Sequence, residues 1–418
     1  PNKKMLGEEG TGTWCQWCPR GTDWMEYMTI NYPDEFIGIA VHNGDPMVLT
    51  EYDNAVPFNA YPTAMADRSL LGIDPSALES VMPTSLARIA PVAPDVSATL
   101  DVATMQLTAD ASAEFVTQLS GLNYRLGVIL TEDDVRGTTT AYNQSNAYSG
   151  QVDPLPGYGF DWNTLPTSAP AALMYYDHVG RALLGGYNGL AGSIPASVVA
   201  GDVASHTFTL NNFNKNWNPY KMHAVVVVLD NSTGEVLNTE KGDITVVCPA
   251  DFGVTFQVTG DTVGTGGTGA ITASLDNPNF GFGGYTFEWS NGATGATVGD
   301  LPAGNYSVIV SDKIGCTQTL DVTVSPITGV QDIESLASFS LTPNPASSAS
   351  ALQVRFNKSV DAQVAVVNVV GQVMETVRYD GTNNFQHNFD LSKYADGVYL
   401  VKVTVDNQFH TERLIITR

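Results

Sequence analysis

The period of the hydrophobic positions changes along the chain, and each change marks a segment. Lys3-Lys4-Met5-Leu6-Gly7-Glu8-Glu9 reads as a short strand, with Gly10 to Thr13 as the loop leaving it. From Cys18 to about Asn31 the chain is predicted helical, with Trp24, Met25 and Met28 spaced for one buried face. Phe36-Ile37-Gly38-Ile39-Ala40-Val41 is an apolar run of the kind found in buried parallel strands. A helix over Val48 to Val56 is followed by Asn59-Ala60-Tyr61-Pro62-Thr63-Ala64-Met65, which leads into a further strand. Asp74-Pro75-Ser76 starts a helix striped by Leu78, Val81, Met82 and Leu86, in which Pro83 predicts a kink or a split. Pro91-Val92-Ala93-Pro94 ends the helical pattern.

From Asp95 the period becomes two. Val96 to Val102, Phe115 to Leu119, Tyr124 to Leu130, His206 to Leu210 and Ala224 to Leu229 are separated by turn signals such as Asp230-Asn231-Ser232-Thr233-Gly234. That pattern predicts an antiparallel sandwich over 95–247. The Gly/Asn/Pro-rich stretch from Gly137 to Pro170 is too long for a plain connector and is expected to cap the sandwich or lie over the head. A smaller unit over 248–325 opens with a Gly/Thr-rich run, Gly264 to Gly269. It continues through strands at Ala270 to Leu275 and Tyr285 to Trp289, with Trp289 read as core. After a polar linker from Ser325 to Leu336, a last unit over 337–418 alternates again and finishes on Arg413-Leu414-Ile415-Ile416-Thr417-Arg418.

At 418 residues the chain exceeds one ordinary core, so several domains are expected. Acidic residues outnumber basic ones by 43 to 19, and the net charge of −24 argues against nucleic acid or anionic lipid as partners. A solvated acidic surface accounts for that charge better than Ca²⁺ sites do. No apolar run approaches the eighteen or so residues of a membrane span. Pro1 in place of Met reads as a processed or trimmed start.

Chemistry concentrates at Trp14-Cys15-Gln16-Trp17-Cys18-Pro19. Two thiols at this spacing close a small reversible disulfide, and a helix starting there stabilises a thiolate on the first sulfur. Cys15 would attack and Cys18 would resolve. Three readings stay open: a redox dithiol, a permanently closed structural disulfide, and a zinc site. Zinc is disfavoured because only two further cysteines exist and no His pair is suitably spaced. The strand–dithiol–helix–strand order favours redox. Trp14 and Trp17 serve either as substrate contacts or simply as shields for the sulfurs.

This opening resembles the thioredoxin superfamily. The resemblance implies that Pro62 is the cis-proline facing the dithiol. It also implies that Glu9 is the buried acid beneath the resolving cysteine, able to move a proton to or from Cys18. Further along, Tyr124-Arg125-Leu126-Gly127-Val128, Leu130-Thr131-Glu132-Asp133, Tyr176-Asp177-His178-Val179-Gly180-Arg181 and Gly234-Glu235-Val236-Leu237-Asn238 occur in order. With Glu8 to Cys15 they resemble a Bacteroidota outer-membrane protein family (outer-membrane protein twenty-eight) that joins a thioredoxin-like head to a β-sandwich. Residues 248–325 resemble the SprB-type repeats of gliding adhesins. In that setting Cys248 and Cys316 are expected to bridge the first and last regions of the unit, a closure worth about 4 kcal/mol in the chain-entropy model. Phe339 to Ala346, Asp396-Gly397-Val398-Tyr399 and the terminal strand resemble the type A C-terminal sorting domain of type IX secretion cargo.

Taken together, the expected fold class is multidomain: an α/β thioredoxin-like domain over 1–92 followed by three all-β Ig-like or sandwich domains. The resemblance implies export to the extracellular space or outer-membrane surface. It also implies handling by the type IX translocon and sortase through 337–418, with Thr411 to Arg418 exposed as part of the address. Neither cofactor nor metal is implied. Two functions compete: thiol–disulfide exchange at Cys15, Cys18, Pro62 and Glu9, with the site resting as a disulfide, and a non-catalytic adhesin or surface component. A weaker third is a head that binds a partner by β-edge pairing.

Overall fold

The computed structural model describes the chain apart from residues 152–154, 156, 263–265, 328–332 and 407. Two compact units emerge: Pro1–Thr255 with Leu275–Glu288 and Val308–Leu320, and Phe256–Ser274 with Trp289–Ser307 and Asp321–Arg418.

In the first unit, β1 (Met5–Thr11) and β2 (Phe36–His42) pair in parallel and are buried along their whole length. Between them α1 (Pro19–Asn31) begins with Pro19 at its first position, where the missing N–H costs no helical bond. After α2 (Thr50–Ala55), β3 (Thr63–Ala66) returns antiparallel to β1, and β4 (Leu70–Ile73) pairs with β3. The last helix of this region, α3 (Leu78–Leu86), runs unbroken through Pro83, so the expected split is absent. One core, formed by Met5, Met25, Met28, Phe36, Leu78 and Met82, lies under α1 and α3.

The remaining strands of this unit are β5 (Val92–Asp101), β6 (Gln106–Phe115), β7 (Leu119–Ser120), β8 (Tyr124–Glu132), β9 (Gln144–Ser145), β10 (Ser168–Ala169), β11 (Val179–Leu184), β12 (Ser197–Val198), β13 (Val203–Leu210), β14 (Met222–Asp230) and β15 (Val236–Val247). Eleven strands form one continuous sheet in the order β13-β6-β5-β15-β14-β8-β11-β2-β1-β3-β4. The expected boundary at 92–95 therefore separates no sheets. The join is a parallel bridge of Val179 to Ala40, where the Ala40 N–H donates to the His178 carbonyl at 2.7 Å.

Nor is the sandwich wholly antiparallel. From Val236 to Asp243, β15 pairs antiparallel with β14, and its end, Ile244–Val247, pairs parallel with β5, which carries the same sheet on to β6 and β13. Leu6, Ile37, Ile39 and Met65 from the head share a core with Ile129, Val225, Val227 and Val236. Periodicity reports which face of a strand is buried, not what covers it, and here the two predicted domains cover each other.

A buried ionic seam ties this join. Arg68 donates to both Glu8 carboxylate oxygens, at 3.0 and 2.8 Å, and its guanidinium lies 3.7 Å over the Tyr187 ring. Beside it, Lys3 pairs with Asp67 at 2.8 Å.

Residues 248–325 contribute to both units. Cys248 and Cys316 form a disulfide, and the Phe282 ring packs edge-on to Phe213 within the first unit. Part of the expected linker 325–336, residues 328–332, and the start of the Gly/Thr-rich run lie outside the described residues. In the second unit Trp289 is buried, its indole N–H donating to the Gly295 carbonyl at 2.8 Å.

Residues 336–416 form a five-stranded sheet built on a long hairpin, Ala349–Asn368 against Val373–Asp390. Pairing breaks register between Arg355 and Val360, and Leu352, Val364, Val401, Val403, Leu414 and Ile416 share its core. The terminal strand is only half an exposed address. Leu414 and Ile416 are buried by alternation, whereas Thr411, Glu412 and Arg413 are exposed.

Candidate functional site

Cys15 and Cys18 are joined as a disulfide, with Cα atoms 5.4 Å apart, at the mouth of α1. Cys18 caps the helix, its carbonyl accepting from the Thr22 N–H at 3.1 Å. The positive end of the helix dipole at that first turn favours negative charge on the sulfurs. Trp14 and Trp17 are half exposed and flank the pair. The Trp14 indole donates to the Asn43 carbonyl at 2.7 Å and sits edge-on to Tyr61, while Trp17 sits edge-on to Tyr148. Pro62 follows Tyr61 through a cis peptide bond, and Tyr61 lines the same groove as Trp14, Cys15 and Trp17.

Glu9, on β1, is buried, and its Oε1 has no hydrogen-bond partner. It lies against α1 so closely that a Cβ on Gly21 would come within 1.7 Å of that oxygen. Glycine at 21 is thus the space the carboxyl occupies, one turn past Cys18. Burial, with nothing opposing it, pushes the Glu9 carboxyl well above the ordinary range and so favours its protonated form. Glu9 thus packs at Gly21 and Cys18 caps the same first turn of α1, while Pro62 follows the groove residue Tyr61.

The described residues of the stretch from Gly137 to Pro170 lie over the head, one of the two placements expected for it. It crosses the dithiol loop as a strap: the Ser145 N–H donates to the Thr13 carbonyl and the Ala147 N–H to the Gln16 carbonyl, both at 2.8 Å. Gln144 donates from Nε2 to the Cys15 carbonyl at 2.9 Å. Met47, Val135, Tyr148, Trp162, Met174 and Tyr176 give the strap its own core. At its far end Gly157 and Tyr158 donate backbone N–H bonds of 3.0 and 2.7 Å to Asp23 on α1. Desolvation outweighs those two bonds and lifts Asp23 to about 6.

Behind the dithiol, carboxylates and imidazoles alternate. His178 Nε2 lies 3.6 Å from Glu26, and its Nδ1 lies 3.4 Å from Asp133. Asp133 also faces His223 at 3.1 Å, and His223 faces Asp243 at 2.8 Å. Burial opposes charge on both inner groups. Even so, the His223 hydrogen bond and the two imidazoles hold Asp133 well below the ordinary carboxylate range, and Glu26, Asp133 and Asp177 raise His178. Among the described residues, no group of three or more His, Cys, Asp and Glu side chains is arranged to hold a metal ion.

Residues 50–246 match the family described as outer membrane protein Omp28, and residues 340–417 match the secretion system C-terminal sorting domain. The chain carries an Omp28-family domain and a secretion sorting domain.

The two domains mark a secreted protein of the cell surface or outer membrane, handled by type IX secretion. No helix of the described residues is long and apolar enough to cross a membrane. No curated protein matches the chain. Among solved structures, HBP35 of Porphyromonas gingivalis is 15% identical, with a TM-score of 0.43 over 77% of this chain and 98% of that one. A structural-genomics protein from Agrobacterium tumefaciens is 13% identical, with a TM-score of 0.34 over 58% of this chain and 94% of that one. Dimeric latent PorU from Porphyromonas gingivalis is 13% identical, with a TM-score of 0.19 over 83% and 35%.

The Omp28 match starts at residue 50. It therefore includes Pro62, the strap and the Asp133–His178–His223 chain, and excludes Glu9, Cys15 and Cys18. Sequence reasoning found the latter three but not Asp23, Gln144 or the His178 chain. Asp177-His178 stood out only as a motif, since nothing in its spacing shows that it meets Glu26 on α1.

Proposed function

We propose that this secreted protein carries out thiol–disulfide exchange on protein thiols outside the cytoplasm, with Cys15–Cys18 as the exchanging pair. The observation that carries this reading is the buried Glu9, whose burial favours the protonated acid, packed against Gly21 in the first turn of the helix that Cys18 caps. A substrate thiolate attacks the Cys15 sulfur, the Cys15–Cys18 bond breaks, and Cys18 leaves as a thiolate that takes the Glu9 proton. A second substrate thiolate then attacks the mixed disulfide and releases the Cys15 thiolate. The substrate is oxidised by two electrons and the protein pair reduced, and a low-molecular-weight disulfide restores the resting state. Trp14, Trp17 and Tyr61, with Pro62 following Tyr61 through its cis bond, offer the substrate chain an aromatic edge.

Residues 337–418 are the part read by the type IX translocon and sortase, and 248–325 act as a spacer. A second reading, a scaffold with a structural disulfide, is favoured by one observation: Cys15 and Cys18 are both buried beneath the strap.

The deciding experiment is trapping in cells. Cys18→Ser should accumulate mixed disulfides through Cys15, and Cys15→Ser should not. Absence of any trapped partner, with a Cys15–Cys18 potential below about −300 mV, would leave the scaffold reading standing. Deleting 337–418 should retain the protein in the periplasm, and secretion of the shortened chain would refute the sorting role.

A further inference from the structure

The exchange proposed above requires a substrate thiolate to approach Cys15, and that thiolate is itself an anion. The charges around the groove decide which thiolates come close. Trp14 stands between two grooves, one lined by Cys15, Trp17 and Tyr61 and the other by Asp45, Thr140 and Asn143. Among the described residues, no Lys, Arg or His lines either of them. The five Lys and Arg side chains of residues 1–92 (Lys3, Lys4, Arg20, Arg68 and Arg88) are each held in an ion pair with a carboxylate. On the strap, Arg136 is paired with Asp134.

Behind the aromatic wall stands Asp53, on α2. Its two carboxylate oxygens accept from the Asn43 side-chain amide at 3.0 and 2.9 Å, and one of them accepts from the Tyr61 hydroxyl at 3.4 Å. Asn43 in turn accepts the Trp14 indole N–H through its carbonyl. Asp53 is thus bonded to Tyr61 and one residue removed from Trp14, the two rings that sit edge-on to each other in the Cys15 groove. It is half-buried, so solvent screens its charge incompletely. We propose that the substrates are cationic: protein segments in which Lys or Arg neighbours the reacting cysteine and seats on the Trp14–Tyr61 edge within reach of Asp53. The inference rests on the exchange reading and names its substrate class.

Three effects act in the same sense. A cation laid on the exposed face of Trp14 is attracted by the ring's electron cloud. The Asp53 carboxylate supplies the countercharge that no neighbouring Lys or Arg of this chain neutralises. A cation beside the substrate cysteine also lowers that thiol's pKa, so more of it is present as the attacking thiolate. An acidic segment meets the opposite of all three, within a chain of net charge −24. The electron count is that of the exchange itself: the substrate thiols lose two electrons and Cys15–Cys18 gains them. The cation takes no part in bond making.

The test uses the full chain with Cys15–Cys18 oxidised and three synthetic dithiol peptides whose cysteines are flanked by Arg, Ser or Glu. Acid quench, alkylation and peptide mass spectrometry read Cys15 and Cys18 separately from Cys248 and Cys316. Each rate is divided by the same peptide's rate with the neutral disulfide of 2-mercaptoethanol, which removes the intrinsic reactivity of its thiols. The Arg peptide should then exceed the Glu peptide by about tenfold at 20 mM salt, the lower end of electrostatic steering. At 500 mM, where the Debye length is about 4 Å, the ratio should fall below about threefold. Asp53→Asn keeps an oxygen for the Tyr61 hydroxyl and should cut the low-salt ratio about threefold, as expected of one partly exposed ion pair. Glu35→Gln removes the same charge just before β2, roughly 20 Å along the strand from Asn43, and should leave the ratio unchanged. The salt dependence is read on the wild type, so it decides even where Asp53→Asn fails to fold. Equal normalised rates for the three peptides would overturn the cationic assignment and leave the exchange reading intact. So would a ratio that Asp53→Asn leaves untouched, or one that both variants lower alike, the mark of net charge rather than of this site. A wild-type pair that oxidises none of the peptides would overturn both.

Discussion

Replacing Asp23 by Asn tests how the strap is fastened over the dithiol. The Asp23 side chain has no exposed surface and accepts N–H bonds from Gly157 and Tyr158. Desolvation, helped by the nearby Glu26 charge, raises its pKa from 3.8 to about 6 in spite of those bonds. Between these two values the folded protein holds a proton that the unfolded chain has released. The stability contributed by this group is therefore complete below pH 3.8 and is lost as pH rises through about 6. At full weight that gap corresponds to about 3 kcal/mol. Screening through the single layer of loop over Asp23 reduces it to about 1–2 kcal/mol.

Asn cannot titrate, but it has one acceptor oxygen for two N–H groups that reach different oxygens of Asp23, so it loses one of the bonds at every pH. Asp23→Asn should thus be the less stable by about 1–2 kcal/mol at pH 4 for the lost bond, and that gap should close by about 1–2 kcal/mol by pH 7.5 as the wild type ionises. Urea unfolding of the full chain at half-unit steps from pH 4 to 8, followed by tryptophan fluorescence, measures the difference. A difference that varies by less than about 0.3 kcal/mol across that range, or that turns further against Asn as pH rises, would refute the reasoning.

Three other experiments probe the frame of the protein. Arg68→Met strips the fully buried Glu8 of its cation and should cost about 3–5 kcal/mol, with part of it recovered in the double variant Glu8→Gln/Arg68→Met; a loss below about 1 kcal/mol by urea unfolding would contradict the seam. Gly21→Ala sets a methyl group 1.7 Å from Glu9 Oε1, so it should lower the melting temperature and slow reduction of Cys15–Cys18 together, and an unperturbed variant would show that the carboxyl lies elsewhere. Paired Cys248→Ala and Cys316→Ala changes open a loop of sequence separation 68, which should destabilise that module by about 4 kcal/mol in calorimetry. An unchanged transition would argue that the bridge is idle.

The head's local elements were legible because each rests on short-range physics. The spacing of Met25 and Met28 marked the buried face of α1, on which Trp24 is only partly covered, and the run Phe36 to Val41 specified the strand beside β1. Cys15 and Cys18 declared themselves by spacing, and Glu9 and Pro62 by their place in a resemblance. The sorting segment showed its alternation, although half of its last strand turned inward.

Other features depend on which surfaces meet. The period-two pattern of 95–247 marked apolar faces but carried no record that Val225 and Val227 pack with Leu6 and Ile39, so one sheet looked like two domains. Asp23 is ordinary in sequence and becomes a latch only where Gly157 and Tyr158 reach it across more than a hundred residues. His178 likewise gains its neighbours from α1, from the end of β8 and, through Asp133, from β14.

By itself, then, the sequence determined the helices and strands, the paired thiols and the export address, because propensity, periodicity and motif spacing act over a few residues. Only the tertiary structure decided that the head and sandwich share a sheet, that a strap covers the dithiol, and that a chain of acids and imidazoles runs from Glu26 on α1 to the surface. Those arrangements come from burial and charge pairing between distant segments, and no local pattern encodes which distant segment will supply the partner.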